Sequence, residues 1–192
     1  MNPMKHLRTL SLVSLCLLSG AASAHTGDHT TVTGFAGGLA HPLQGLDHLL
    51  AMIAIGLWAA QQGGRATWAV PAAFVGAMAL GGGLAWSGIA LAHAETGIAL
   101  SVLVLGLLVA TRRRWTLAAG MAIAAAFALF HGYAHGLEMP QAASPVLYGL
   151  GFVLATACLH GVGIAGSLIG RYAMQAAGVG IAVSGLARIL GA

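Results

Sequence analysis

Six apolar stretches, at residues 39–60, 66–86, 89–110, 115–136, 146–168 and 172–190, fill most of this chain. Each is near the ~20 residues that a helix needs to cross a hydrocarbon core. In lipid every backbone polar group must be satisfied inside the protein, and a helix does this within one segment. The breaks are polar or basic: Gln61-Gln62-Gly63-Gly64-Arg65, Arg112-Arg113-Arg114, the run from Pro140 to Pro145, and Arg171. The break near Ser87 is the weakest and leaves a merged or re-entrant segment open. Composition agrees, with 58% hydrophobic and 6% charged residues, whereas a soluble domain carries about a quarter charged residues. The expected fold class is an all-α integral membrane protein, with six transmembrane helices after a cleavable signal peptide.

Residues 1–24 read as that signal, and residues 25–192 as one six-helix membrane domain. Lys5, His6 and Arg8 form a basic start, Leu10 to Leu18 a short apolar run, and Ala22-Ser23-Ala24 a small-residue cleavage pattern. The rival reading is an uncleaved first helix. Leu15 is too large for a lipoprotein signal at Cys16. Cleavage leaves Cys158 as the single cysteine, so no internal disulfide is expected.

With His25 outside the cytoplasmic membrane, six crossings put Arg65, Arg112, Arg113, Arg114 and Arg171 inside and leave Arg188 near the outer end. This satisfies the positive-inside rule. The net charge of +4 is thereby explained as topology anchors, and nucleic acid is not an expected partner; membrane lipid is. The expected location is the bacterial inner membrane, with a periplasmic N-terminus.

The same topology gathers the histidines and acids. All four acids, Asp28, Asp47, Glu95 and Glu138, lie within three positions of a histidine. His25, Asp28 and His29 fall in the outer tail, His41, Asp47 and His48 in the outer half of the first stretch. His93 and Glu95 start the third, and His131, His135 and Glu138 end the fourth. Only His160 lies deeper. Ionisable groups at membrane depth are costly and mark pathways or sites, and imidazole with carboxylate is a good ligand set for a divalent transition metal.

Two segments carry most of the chemistry. In His41-Pro42-Leu43-Gln44-Gly45-Leu46-Asp47-His48, Pro42 suits the first helical position. His41 and His48 are then expected on one helical face, about 10 Å apart. Asp47 either ligates directly or orients His48 from behind; the bland alternative is an Asp–His bond between helices. In Phe130-His131-Gly132-Tyr133-Ala134-His135-Gly136-Leu137-Glu138, the i, i+4, i+7 spacing puts His131, His135 and Glu138 on one face. Gly132 and Gly136 would admit a neighbouring helix. His93 and Glu95, two apart, cannot share a face, and one of them is a candidate ligand. His160 reads first as a packing contact and second as a stepping site on the way in. His25, Asp28 and His29 read equally as a metal-collecting tail and as a solvated one. Nitrogen and oxygen donors suit Ni²⁺, Co²⁺, Zn²⁺ or Cu²⁺ and disfavour Cu(I).

The His41-Pro42-x-x-Gly45-x-Asp47-His48 and Phe130-His131-Gly132-x-Ala134-His135-Gly136-x-Glu138 runs resemble the signatures of the HupE/UreJ proteins, over essentially the whole chain. The resemblance implies a nickel or cobalt permease that supplies hydrogenase or urease maturation, with uptake from periplasm to cytoplasm. It implies metal-handling roles for His41, Asp47 and His48, and for His131, His135 and Glu138. Ni²⁺ or Co²⁺ is then a transported substrate, with no permanently bound cofactor expected and maturation proteins as further partners. No phosphate-binding Gly-x-x-x-x-Gly-Lys-Ser/Thr loop is present, which argues against ATP hydrolysis. Two rivals stand. One is an intramembrane zinc hydrolase using His131 and His135, which would need three ligands and an open water position. The other is a membrane metal donor that moves nothing.

Overall fold

The computed structural model describes residues 34–139 and 144–191. Residues 1–24, read above as a signal, and His25, Asp28 and His29 lie outside these residues. The described elements are α1 (Phe35–Ala40), a 3₁₀ turn (His41–Leu43), α2 (Leu46–Gln62), α3 (Ala66–Trp86), α4 (Ala94–Thr111), α5 (Leu117–Glu138), α6 (Pro145–Gly166), a second 3₁₀ turn (Ser167–Ile169) and α7 (Arg171–Leu190). Among the described residues there is no strand. Five helices, α3 to α7, are long and apolar enough to cross a membrane, and the bent pair 35–43 plus 46–62 makes a sixth candidate. The protein is an all-α, multi-pass membrane protein.

The second to sixth stretches lie close to their expected bounds, and α3 matches at both ends. The first does not run as one helix: its halves meet at 86°. Pro42 has no N–H to bond backwards, so the chain tightens into one 3₁₀ turn closed by Gln44 N–H to the His41 carbonyl. Gly45 is then extended (φ −105°, ψ 118°) and caps α2. His41 and His48 therefore do not share a helical face. Irregular backbone at membrane depth is tolerated where the protein itself covers it, and α1 here lies against α6.

The bundle has a histidine end, where α2, α4 and α6 start and α3, α5 and α7 finish, and an opposite, arginine end. At the arginine end Gln61 donates to the Val109 carbonyl at 2.9 Å and Gln62 to the Arg113 carbonyl at 3.0 Å. These bonds tie α2 to the end of α4 and its linker. The core between helices holds Met52, Ile55, Trp58, Phe74, Val102, Leu105 and Val109. Leu80, Leu107, Leu147, Leu150, Val183 and Leu186 are exposed, as expected of side chains facing lipid.

The α3–α5 crossing near the histidines is close-packed. A Cβ on Gly132 would overlap the Met78 carbonyl, and one on Gly136 would meet Ala85 Cβ at 2.7 Å. The expectation that these glycines admit a neighbouring helix is met, and the neighbour is α3.

Candidate metal centre

Four elements converge at the histidine end. His41 comes from the 3₁₀ turn, Asp47 and His48 from the first turn of α2, Ser101 from α4, and His131, His135 and Glu138 from one face of α5. The helix runs through Glu138, so the i, i+4, i+7 face is continuous.

Two groups of donor atoms result. His48, His131 and His135, all buried, each offer one nitrogen, and these nitrogens lie within 4.8 Å of one another. The donor atoms of His41, His135 and Glu138 likewise lie within 4.8 Å of one another. His135 belongs to both groups. Its ring centroid is 4.1 Å from that of His48 and 4.8 Å from that of His41. The first-stretch and fourth-stretch motifs thus meet in space, although the bend changes how His41 gets there.

The first group is the drier one. Phe152 packs 4.3 Å from His135 and Phe74 5.9 Å from His131, centroid to centroid. His48 Nδ1, His131 Nδ1 and both nitrogens of His135 are buried without a hydrogen-bond partner. Buried polar atoms are ordinarily paired. Three imidazoles turned on one another, with these four ring nitrogens not hydrogen-bonded, have the chemistry of a ligand set for a divalent ion. The second group faces outward: Glu138 is 49% exposed, and its Oε2 lies 2.9 Å from His41 Nε2 and 3.5 Å from His135 Nδ1.

Asp47 stands beside the three-histidine group rather than in it. Its Oδ1 accepts the His48 backbone N–H at 2.9 Å and lies 3.6 Å from His48 Nδ1. Its Oδ2 lies 2.7 Å from Arg188 Nη2. Of the two roles read from sequence, this geometry fits orientation of His48. Arg188, the one arginine that the expected topology leaves near the outer end, is the partner of a buried carboxylate. Glu95 is exposed and 3.9 Å from the same guanidinium. His93 is an exposed, left-handed N-cap of α4 (φ 59°). Neither His93 nor Glu95 joins the two groups, and His160 lies apart from both.

Ser101 carries no signal in the sequence: a lone serine in an apolar stretch has neither spacing nor motif. In the fold its Oγ lies 2.6 Å from the Ile98 carbonyl oxygen and 2.7 Å from His131 Nε2. Two oxygens this close need a proton between them. Ser101 therefore donates to Ile98 and accepts from His131 Nε2–H, leaving the lone pair on Nδ1. This is the outer-shell bond that fixes the tautomer of a ligating imidazole. Ser101→Ala is expected to weaken Ni²⁺ binding about 10- to 100-fold, and Ser101→Thr to restore it, as measured by calorimetric titration. Undiminished binding in Ser101→Ala would remove this role.

The family described as "HupE / UreJ protein" matches residues 13–188. Protein HupE of Rhizobium leguminosarum bv. viciae is 42% identical over 193 residues, covering 98% of this chain and 100% of that protein. No solved structure matches. With most of its length matched to the family, and near full-length identity at this level to a named member, the chain belongs to the HupE/UreJ family.

Proposed function

We propose that this protein is a permease that imports Ni²⁺ or Co²⁺ across the inner membrane, from periplasm to cytoplasm, to supply hydrogenase or urease maturation. One observation carries the reading most: two donor groups, one half exposed and one buried, share His135. On this reading residues 1–24 are a cleaved signal, the mature N-terminus is periplasmic, and the histidine end faces the periplasm.

Glu138 and His41 meet the hydrated ion first, because their carboxylate and imidazole are the accessible donors. Glu138 neutralises part of its charge while water is shed. His135 then carries the ion from the outward group to the buried one by exchanging His41 and Glu138 for His48 and His131. The full charge of a divalent ion is costly in this apolar surround, and three imidazoles replace its water. Asp47 holds His48 in place and adds negative charge behind it, and Arg188 balances Asp47 when the ion is absent. Neutral nitrogen donors keep the affinity modest enough for release, as passage requires. The third stretch's His93 and Glu95, and the tail residues His25, Asp28 and His29, act at most as collectors on the approach.

The test is radioactive nickel uptake into sealed proteoliposomes, with excess Co²⁺, Zn²⁺ or Mn²⁺ as competitors. Uptake that His48→Ala abolishes is the expected result, and the competitors rank the metals. Nickel bound by folded protein without uptake would replace the permease by a donor. Zinc retained through purification without uptake would favour a hydrolase.

A further inference from the structure

One buried imidazole among the described residues stands outside both donor groups. His160 is 2% exposed, and both of its ring nitrogens lack a hydrogen-bond partner. Burying a polar ring in this way costs stability that a leucine at the same place would not, so packing alone does not account for it. Its depth follows from the α2–α6 crossing. A Cβ on Gly56 would overlap the His160 carbonyl, and Gly163 faces Gly56 at the same level. Gly56 lies eight residues beyond His48 on α2, about 12 Å further along the bundle at 1.5 Å per residue.

What lies between is continuous. The Phe74 ring touches both sides, 5.9 Å from His131 and 5.2 Å from His160 between centroids. Thr156, one turn from His160 on the same face of α6, holds its Oγ1 3.5 Å from Met52 Sδ and 3.8 Å from Met78 Sδ. Met52 is in turn one helical turn beyond His48. A weakly coordinating layer of hydroxyl and thioethers thus sits beneath the three histidines. Thioethers are poor partners for Ni²⁺ or Co²⁺ next to imidazole, which suits a layer that an ion crosses without stopping.

We propose that His160 is a second, inner station for the transported ion, and that the Phe74 ring is the divider between it and the His48, His131 and His135 centre. The inference rests on the permease reading. In the closed arrangement the ring keeps the two stations apart. Rotation of the ring opens the short path lined by Thr156, Met52 and Met78. His160 then gives the ion an imidazole nitrogen in the half of the bundle that holds no other described histidine.

The experiment compares wild-type protein, His160→Ala, His160→Gln and Phe74→Ala, all full length, in proteoliposomes with radioactive Ni²⁺, with calorimetric Ni²⁺ titration of each. His160→Ala is expected to bind Ni²⁺ like the wild type, because the three-histidine centre is intact, while uptake falls about tenfold or more, as loss of a ligand at one step raises that barrier. His160→Gln serves where the alanine variant fails to bind and so to fold. Wild-type uptake by either folded variant overturns the inner station. Phe74→Ala is expected to speed nickel efflux from preloaded vesicles, and unchanged efflux overturns the divider. Absence of uptake by the wild type would overturn the permease reading itself, and this inference with it.

Discussion

His135→Ala is expected to abolish nickel uptake and to weaken nickel binding by at least about 100-fold, since losses in the surroundings of a ligand already reach that range. The residue is the sole member common to the two donor groups, so its removal breaks the route at the mouth and at the buried centre together. His41→Ala offers the contrast. It removes a donor from the outward group only, so binding at the buried centre survives while loading slows. Calorimetric titration alongside initial uptake rates separates these outcomes. Should His135→Ala retain wild-type affinity, the three buried imidazoles do not act together on one ion.

The second large effect is on the fold. Gly132→Val is expected to destabilise the protein by about 3 kcal/mol or more, at the upper end of overpacking changes. The added atoms would meet the Met78 backbone rather than the tip of a flexible side chain. Backbone cannot step aside without parting α3 from α5, and parting them moves His131, the preceding residue. Gly149→Ala is the control, because a Cβ there has nothing within 4 Å, and helix propensity favours alanine by about 1 kcal/mol. Thermal unfolding in detergent, followed by circular dichroism, would read both. Equal midpoints for Gly132→Val and wild type would mean that the crossing is not close-packed.

Much of this was legible in the order of residues. The apolar stretches gave the helices because a bilayer allows so few alternatives, and the basic breaks marked where they turn. His131, His135 and Glu138 were readable as one face because helical period is local. The bend was not foreseen, because Pro42 is equally at home starting a helix and ending one, and only the extended Gly45 decides between them. The pairing of Arg188 with Asp47 joins opposite ends of the chain, and no local pattern announces it. Ser101 was invisible for a similar reason: its value lies in the Ile98 carbonyl and the His131 ring that the fold sets on either side of it.

The shared histidine has a consequence for how ions queue. A neutral imidazole has one lone pair, since its other nitrogen carries a proton. His135 can therefore serve the outward group or the buried group, but not both at once. A second ion waiting at Glu138 cannot be fully held until the first has let His135 go. Channels that conduct by knock-on rely on adjacent sites being filled together. On the permease reading, successive ions exclude one another at His135 as at a turnstile, and uptake is expected to saturate as a simple hyperbola in nickel concentration.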